Sequence, residues 1–550
     1  MEAVAEPVVV HASSPSWRLD WLTPARCRII LAGVLLLGFL AHLNYLINDC
    51  PLDLSGDEAH YWDWSRQLDL SYYSKGPLVA YIIRASCAVF GDVMWAVRLP
   101  ALLLGVGTSL LTYWLTRKLF GSERLALGAV LLTHIVPMFI AGSVLMTIDP
   151  PFYFCWAAAT CFAVLAIRDG RRWAWVLMGV ALGFGFLAKY AAFLWLVGLG
   201  VLLVSDRDAR RWLRTPWPWM MVFVAMLFTI PVIVWNAQHG WVSARHVGKQ
   251  TGTSGEAAFA LKNVGDFLGG QFGAIGPPLF ILMVAAIWRG WRAARRGDSP
   301  HGWAQRFLLC IGLPFFILVF ITSFRAKVQV NWPAPAYFTL IILTSFFLAT
   351  VLKRRDTWRP WRGFFWTGVG LGLLVMPLAH NFDWLYPVFA RINQSIDNPK
   401  KHLQPRKLDP TARLRGWQEM GAAVEAQRAA MSPDTFVLCQ DYQTTAEMAF
   451  YVRGHPKTYY AGSYAKDPEE RSRFTQYDMW PDRRLDQPAL IGRDAVYVGF
   501  MSRDTKGAFE RIEPLPDFVV TRRGMEVRRV LLWRCLGFKG MQPQMTGGRY

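Results

Sequence analysis

The sequence predicts an α-helical multi-pass membrane protein of about eleven transmembrane helices, followed by a soluble α+β domain outside the membrane. Three observations predict this class. Apolar stretches of bilayer-spanning length recur through the first two-thirds of the chain, and charge is confined to short islands between them. Alternate islands are basic, as loops on the cytoplasmic face should be. From about His380 the apolar runs give way to polar sequence with short strand-like segments. Composition agrees: of 550 residues, 53% are hydrophobic and only 18% charged, with mean hydropathy +0.23. Soluble domains of that total length would carry charge throughout.

Taken in order, residues 1–26 read as a polar cytoplasmic tail without a cleavable signal. Arg18 and Arg26 precede the first span, 27–47, and hold the N-terminus inside. The loop 48–93 then lies outside. Within it, 77–90 is apolar apart from Arg84 but too short to cross, so an interfacial or re-entrant helix is expected; Tyr61, Trp62 and Trp64 mark an amphipathic piece before it. Further spans are expected at 94–116, 126–146, 151–167, 173–188, 190–205, 217–236, 273–288, 306–323, 334–352 and 363–379. The loops this order puts inside, around Arg117–Arg124, Arg168–Arg172, Arg207–Arg214, Arg289–Arg296 and Lys353–Arg362, are all basic; most of those put outside are poor in Lys and Arg.

The spans form a membrane domain, 27–379, and their odd number puts the remainder, 380–550, outside with the 48–93 loop. In that remainder, strands are expected at 435–439, 495–500 and 527–533 and a helix at 417–431. The net charge of +20 is accounted for by the basic inner loops, and no nucleic-acid-binding motif accompanies it. The eight Cys are dispersed, without a CxxC pair or a Cys/His cluster, so neither a disulfide framework nor a zinc site is expected. Many of the 26 Trp fall at the ends of apolar runs, where interfacial aromatics belong.

Ionisable residues gather at the outer ends of the spans: Asp57, Glu58, Lys75, Asp149, Lys189, His239, Arg325 and Lys327. Singly, each has an ordinary explanation. Lys189 can snorkel to the interface, and Asp149 can cap a helix ahead of Pro150 and Pro151. Together on one face they read as a functional site, because ions at membrane depth are costly unless paired or set in a water-filled cavity. Two acids among several cations suit a reaction with an anionic leaving group and a nucleophile that must lose a proton. Lys75, Lys189, Arg325 and Lys327 can bind phosphate, and Asp57 can take the proton from an acceptor hydroxyl. Asp57, Glu58 and His60 can also ligate a divalent metal, although nothing in their spacing requires one and no cofactor is expected. No Gly-rich phosphate loop is present, and Asp206-Arg-Asp208 falls in an inner loop, on the wrong face for this site. A transporter or flippase for a lipid-linked or anionic substrate is the competing class. It calls for ions near mid-span and paired repeats, whereas these ions gather at one face.

The motifs carry a resemblance. Gly56-Asp57-Glu58-Ala59-x-Tyr61-Trp62, Lys75-Gly76-Pro77-Leu-Val-Ala80 and Arg98-Leu-Pro100-Ala101 resemble the GT-C glycosyltransferases of the dolichyl-phosphate-mannose protein mannosyltransferase superfamily. The likeness is strongest to the bacterial branch that transfers aminoarabinose or galacturonic acid to lipid A. It continues at Met146–Pro150, Gly183–Tyr190, Trp235–Trp241 and Asn331–Pro335. The family often has Lys-Pro-Pro where this chain has Lys75-Gly76-Pro77, and Tyr442-Gln-Thr-Thr-Ala-Glu447 resembles a segment of some bacterial relatives. The resemblance implies GT-C architecture, a polyprenyl-phosphate-linked sugar donor, a lipid or protein acceptor, and inversion at the anomeric carbon on the periplasmic face of the inner membrane. By that resemblance Asp57 is the catalytic base or positions the acceptor, Asp149 matches the second acid, and Lys75 matches a lysine that meets the lipid phosphate. Together with the charges at the outer face, the candidate catalytic residues are Asp57, Glu58 and Asp149, and the candidate substrate-binding set is Lys75, Tyr61, Lys189, Tyr190, His239, Arg325, Lys327 and Asn331.

Overall fold

The computed structural model describes residues 21–250, 260–296, 299–352, 359–398 and 401–544. Residues 1–20 of the expected tail and 353–358 of the expected last inner loop therefore lie outside the described residues. A bundle of apolar helices runs to His380, and a sheet domain follows it.

Six helices are long and apolar enough to cross a membrane: Pro24–Asp49, Met94–Phe120, Asp149–Ile167, Gly302–Thr322, Ala334–Val351 and Pro360–His380. Three bent pairs raise the number to as many as nine among the described residues, short of the expected eleven. The two expected spans not among these are 126–146 and 173–188, and others are bent at local breaks that hydropathy does not register. The stretch expected as one span at 126–146 is two helices, Glu123–His134 and Pro137–Gly142, because Pro137 cannot continue the first and opens the second. The 217–236 span bends by 40° ahead of Pro231. Leu261–Ile275 meets Pro277–Arg296 at 102° across Gly276, whose φ of +87° favours glycine. Arg172–Ala188 is apolar but has only 17 residues. The large aromatic side chains Trp156, Trp175 and Trp195 are buried where the 149–167, 172–188 and 195–205 helices meet.

The 48–93 loop is mostly helical. Gly56–Ser65 starts in a capping box in which Ser55 Oγ accepts from Glu58 N and Glu58 Oε2 accepts from Ser55 N. Leu78–Phe90 is the expected short helix, and it buries Val79, Ala80, Ile83 and Cys87, one face at helical spacing.

The C-terminal domain centres on a five-stranded mixed sheet. Its strands are β1 (Phe436–Cys439), β2 (Thr458–Tyr460), β3 (Ala495–Val498), β4 (Phe509–Pro514) and β7 (Leu532–Phe538), in the order β2-β1-β3-β7-β4. β5 (Phe518–Arg522) and β6 (Met525–Val530) form a separate hairpin. β1 is parallel to both β2 and β3, and it is buried at every position, as a central parallel strand requires. The expected 527–533 strand is divided between β6 and β7. The helix Trp417–Ala429 lies where it was expected.

This domain is seated on the 48–93 loop. Ala59 and Trp62 of the loop helix pack against Ala446, Ala449 and Phe450 of the helix Tyr442–Tyr451, with the Trp62 and Phe450 rings edge to face at 4.9 Å. Asp63 is buried, bonded to Arg483 at 3.1 Å and to the Tyr477 hydroxyl at 2.9 Å. Leu54 N donates to the Tyr451 hydroxyl at 2.7 Å, and Trp417 N donates to Asp53 Oδ2 at 2.7 Å. Through these contacts the sheet domain and the loop share one face of the bundle.

Candidate active site

Asp57 stands in the first turn of the Gly56–Ser65 helix, where a carboxylate meets the unpaired N–H groups and the positive end of the helix dipole. It is exposed, and its Oδ1 accepts from the Tyr442 hydroxyl at 3.0 Å. Gly56 lets the two helices approach this closely, because a Cβ there would lie 2.4 Å from Cβ of Gln443.

Asp149 opens another helix, Asp149–Ile167. Its Oδ1 accepts from Lys189 Nζ at 2.9 Å and its Oδ2 from Asn331 Nδ2 at 2.5 Å. Lys189 closes the Arg172–Ala188 helix in extended conformation, a cation beside the negative end of that dipole. The acid and the lysine are only 13% and 15% exposed, so each is the other's main compensation.

Lys75 lies in a tight turn in which Tyr72 N donates to Lys75 O at 3.2 Å. It forms no ion pair with a described residue. Burial, then the Lys189 charge, pushes its ammonium down to about 8, while Asp57 and Asp149 act in the opposite direction. The next residue explains the departure from Lys-Pro-Pro: a Cβ on Gly76 would lie 2.1 Å from the carbonyl oxygen of Leu187, so neither proline nor alanine fits this approach.

These groups face one cavity of about 1460 Å³. Its polar end holds Asp57, Lys75, Asp149, Lys189, Tyr442 and Arg473, with Tyr61, His60, His246 and Asn331 also in the wall. From there it runs along apolar side chains of the bundle, among them Leu35, Phe39, Val106, Ile140 and Phe338. Toward the sheet domain it is lined by Arg406, Arg413, Arg528 and Arg529.

Of the residues singled out in the sequence, Asp57, Asp149, Lys75, Lys189, Tyr61 and Asn331 come together here. Glu58 does not. It is buried, with Arg98 donating to Oε1 and Oε2 at 3.0 Å each and Met146 N donating to Oε1 at 2.8 Å. Arg98, also buried, spends its remaining donors on the carbonyls of Leu52 and Asp53 and on Cys50 Sγ. Glu58 and Arg98 thus hold the loop, the 94–120 helix and the 146–149 turn together. Tyr190 lies one step behind the wall, its hydroxyl 3.2 Å from Ser71 Oγ. His239 is drawn away from the cavity, stacked on Trp235 at 4.2 Å. Arg325 and Lys327 are exposed at the start of a loop whose later residues, Gln329–Trp332, reach the wall instead. The suggested metal ligands do not converge: Glu58 is committed to Arg98, and His60 Nε2 accepts from Trp64 Nε1 at 3.0 Å.

Two contributors went unnoticed in the sequence. Arg473 lies over the Tyr442 ring at 4.3 Å, and His246 lies edge to face with Tyr73 at 4.9 Å. Burial, and then the Lys75 charge, pushes the His246 imidazole down to about 3. Tyr442 belonged to a segment noted only for its resemblance.

Comparisons with known proteins agree with the resemblance. Residues 74–235 match the family model described as dolichyl-phosphate-mannose-protein mannosyltransferase. The lipid A galacturonosyltransferase RgtD of Rhizobium johnstonii is 27% identical over 438 residues, covering 78% of this chain and 87% of the relative. The undecaprenyl phosphate-alpha-4-amino-4-deoxy-L-arabinose arabinosyl transferase of Pseudomonas paraeruginosa is 26% identical over 348 residues, 61% of this chain and 60% of that one. The crystal structure of ArnT from Cupriavidus metallidurans bound to undecaprenyl phosphate superposes with a TM-score of 0.59 at 18% identity. It covers 92% of this chain and 97% of that one, and so shares the fold. The expected enzyme class is borne out, since these relatives are glycosyltransferases.

Proposed function

We propose that this chain is an integral-membrane glycosyltransferase that moves a sugar from a polyprenyl-phosphate carrier to a lipid acceptor of the lipid A kind, on the periplasmic face of a bacterial inner membrane. The observation that carries this reading is the shape and chemistry of the cavity. One continuous space joins an apolar arm within the bundle to a cluster of two acids and several cations. It exceeds the about 300–1,000 Å³ usual for small-ligand pockets. An isoprenoid tail suits the arm, and its phosphate then falls at Lys75. The arginines toward the sheet domain suit a phosphorylated acceptor. The relatives named above act on lipid A or on an undecaprenyl-phosphate-linked sugar, which supports both halves of the reading. The basic ends of the helices, such as Arg117 and Lys118, lie at the far end of the 94–120 helix from Arg98 and the loop, which supports a periplasmic site.

The chemistry is a direct displacement. The acceptor hydroxyl oxygen bonds to the anomeric carbon as the bond from that carbon to the phosphate oxygen breaks. The electron pair leaves with the polyprenyl phosphate, held by Lys75, and the hydroxyl proton passes to Asp57. Tyr442 orients Asp57. Asp149, tied to Lys189 and Asn331, shapes the floor of the site and holds the Lys189 charge near the departing phosphate. No cofactor enters these steps.

The test is transfer of radiolabelled sugar from a panel of polyprenyl-phosphate donors to a lipid extract, using purified wild type and Asp57→Asn. Label reaching lipid with wild type, and lost in a variant of unchanged elution volume and melting temperature, is the expected result. A fully active Asp57→Asn overturns the assignment of the base. Absence of transfer from every donor overturns the transferase reading.

A further inference from the structure

We infer that His42 and His380 share one proton and so latch the first span to the last, and that this latch controls exchange of the polyprenyl-phosphate carrier with the bilayer. This rests on the transferase reading above, which puts the carrier's tail in the apolar arm of the cavity.

The hydrogen-bond geometry fixes the proton count. His42 Nδ1 lies 3.0 Å from the carbonyl oxygen of Gly38, and His380 Nδ1 lies 2.7 Å from that of Met376. A carbonyl oxygen only accepts, so each Nδ1 carries a proton. The two Nε2 atoms then face each other at 3.1 Å. In two neutral rings both would present lone pairs at that distance. In two cationic rings both would present N–H groups. A single added proton turns the contact into a charge-assisted hydrogen bond, donated by one ring and accepted by the other. His380 closes the helix Arg359–His380, where the negative end of the dipole favours that charge. The described residues gather no three metal-ligating side chains, which favours a proton over a metal ion as the bridge.

The neighbouring ionisable groups have partners of their own. His134, at the end of the helix Glu123–His134, is within electrostatic reach of His42 and has its Nε2 3.2 Å from Ser109 Oγ. Tyr45 donates to the carbonyl oxygen of His380 at 2.7 Å, a second tie between the same spans. Beyond Tyr45, Arg98 is bonded to Glu58 and Cys50, and Arg415 to Asp383 and Asp409. Asp49 is bonded to Asn44. These pairings leave the shared proton on the imidazoles.

The latch sits where the carrier must pass. Pro24–Asp49 and Pro360–His380 are the two least buried of the six spans, so they stand at the edge of the bundle. Val34, Leu35, Gly38 and Phe39 of the first span line the cavity, and His42 stands one turn on along the same face. Met376 and His380 border it from the last span. The tail of the spent carrier is apolar, so it returns to the bilayer sideways, between spans, and not through the polar end. Parting of the first and last spans opens that way, and the shared proton resists it.

The test is release of dansyl-labelled undecaprenyl phosphate from the full-length protein on chase with unlabelled lipid. It is followed as loss of energy transfer from tryptophan, from about pH 5 to about pH 9. His42→Gln is the reference, since an amide N–H can donate to His380 Nε2 without an added proton. Dividing each wild-type rate by the His42→Gln rate at the same pH removes the titration of Lys75 and of the phosphate, which both proteins share. That ratio is expected to be lowest near neutral pH and to rise about 10-fold or more toward both ends, where the charge-assisted bond is lost. His42→Ala is expected to release the lipid faster than His42→Gln by a similar factor at every pH. A flat ratio overturns the inference, as does release from His42→Ala as slow as from wild type at neutral pH. Release from wild type that EDTA accelerates at constant pH also overturns it and puts a metal ion between the rings. If one variant does not fold, the ratio against the other carries the same test. Saturable binding with a flat ratio overturns this inference alone. No saturable binding of the lipid by wild type overturns the carrier's place in the transferase reading together with it.

Discussion

The Tyr442 hydroxyl donates to Oδ1 of Asp57 across 3.0 Å, joining the sheet domain to the loop helix at the residue proposed as base. A hydrogen bond to a charged group contributes about 1.5–3 kcal/mol. If that bond orients Asp57 mainly in the transition state, its loss slows turnover by about 10–100-fold. Tyr442→Phe is therefore expected to lower kcat by that factor with the donor KM little changed. The packing of Ala446 and Phe450 on the loop does not involve the hydroxyl, so the melting temperature should hold. A fall in melting temperature parallel to the fall in kcat would make the hydroxyl structural.

Asp149 and Lys189 form a pair that is mostly out of solvent, and removing one partner leaves the other uncompensated. Such single losses cost about 3–5 kcal/mol, while removing both partners costs much less. Lys189→Met is expected to unfold at markedly lower temperature than wild type. Adding Asp149→Asn should return most of the stability, since Asn331 retains a carbonyl to donate to. Activity should not return with it, because the charge beside the leaving phosphate is gone. Thermal unfolding and transfer assays on the two single variants and the double variant separate the two effects.

Lys75 gives the site an alkaline limit. Burial in its turn pushes the ammonium down to about 8, so it is charged below that pH and loses its proton above it. A phosphodiester keeps its negative charge across the range, so donor binding is expected to hold at neutral pH and weaken as pH rises through about 8. Arginine stays protonated there. Lys75→Arg should therefore raise the donor KM at neutral pH through altered geometry but flatten its rise with pH. A wild-type KM that stays constant from pH 7 to pH 10 (a span of about three units around that value) would separate Lys75 from the phosphate.

How far the sequence reveals this site depends on what surrounds each residue. Asp57, Lys75, Asp149 and Lys189 stood out because charge between apolar runs is conspicuous. The same rule selected His239, Arg325 and Lys327, which the structure carries elsewhere, since proximity to an outer end does not say which way a loop turns. Glu58 was read as chemistry because its pairing with Arg98, forty positions on, is a tertiary fact. Arg473 and Tyr442 belong to a soluble domain where such residues are ordinary. Only docking across a separation of 385 positions makes Tyr442 part of the site. The helical bundle and the trailing sheet domain were legible from hydropathy. The break at Pro137, which divides an expected span, and the bends at Gly276 and ahead of Pro231 depend on backbone geometry that mean hydropathy averages away.

Gly76 offers the sharpest steric test of the loop. Its backbone passes so close to Leu187 that an added Cβ would stand 2.1 Å from the Leu187 carbonyl oxygen. That oxygen belongs to the last turn of the Arg172–Ala188 helix, so it cannot yield as the end of a flexible side chain would. The loop must move instead, and the moving part carries Lys75. Overpacking of this kind costs about 1–3 kcal/mol. Gly76→Ala is thus expected to lower the melting temperature and to raise the donor KM, while the acceptor KM stays near the wild-type value. Gly128 serves as the control, since a Cβ there meets nothing within 4 Å and Gly128→Ala should leave both parameters unchanged. A Gly76→Ala enzyme with wild-type stability and donor KM would show that the loop can retreat from Leu187 without disturbing Lys75, and would remove the steric account of why glycine stands between Lys75 and Pro77.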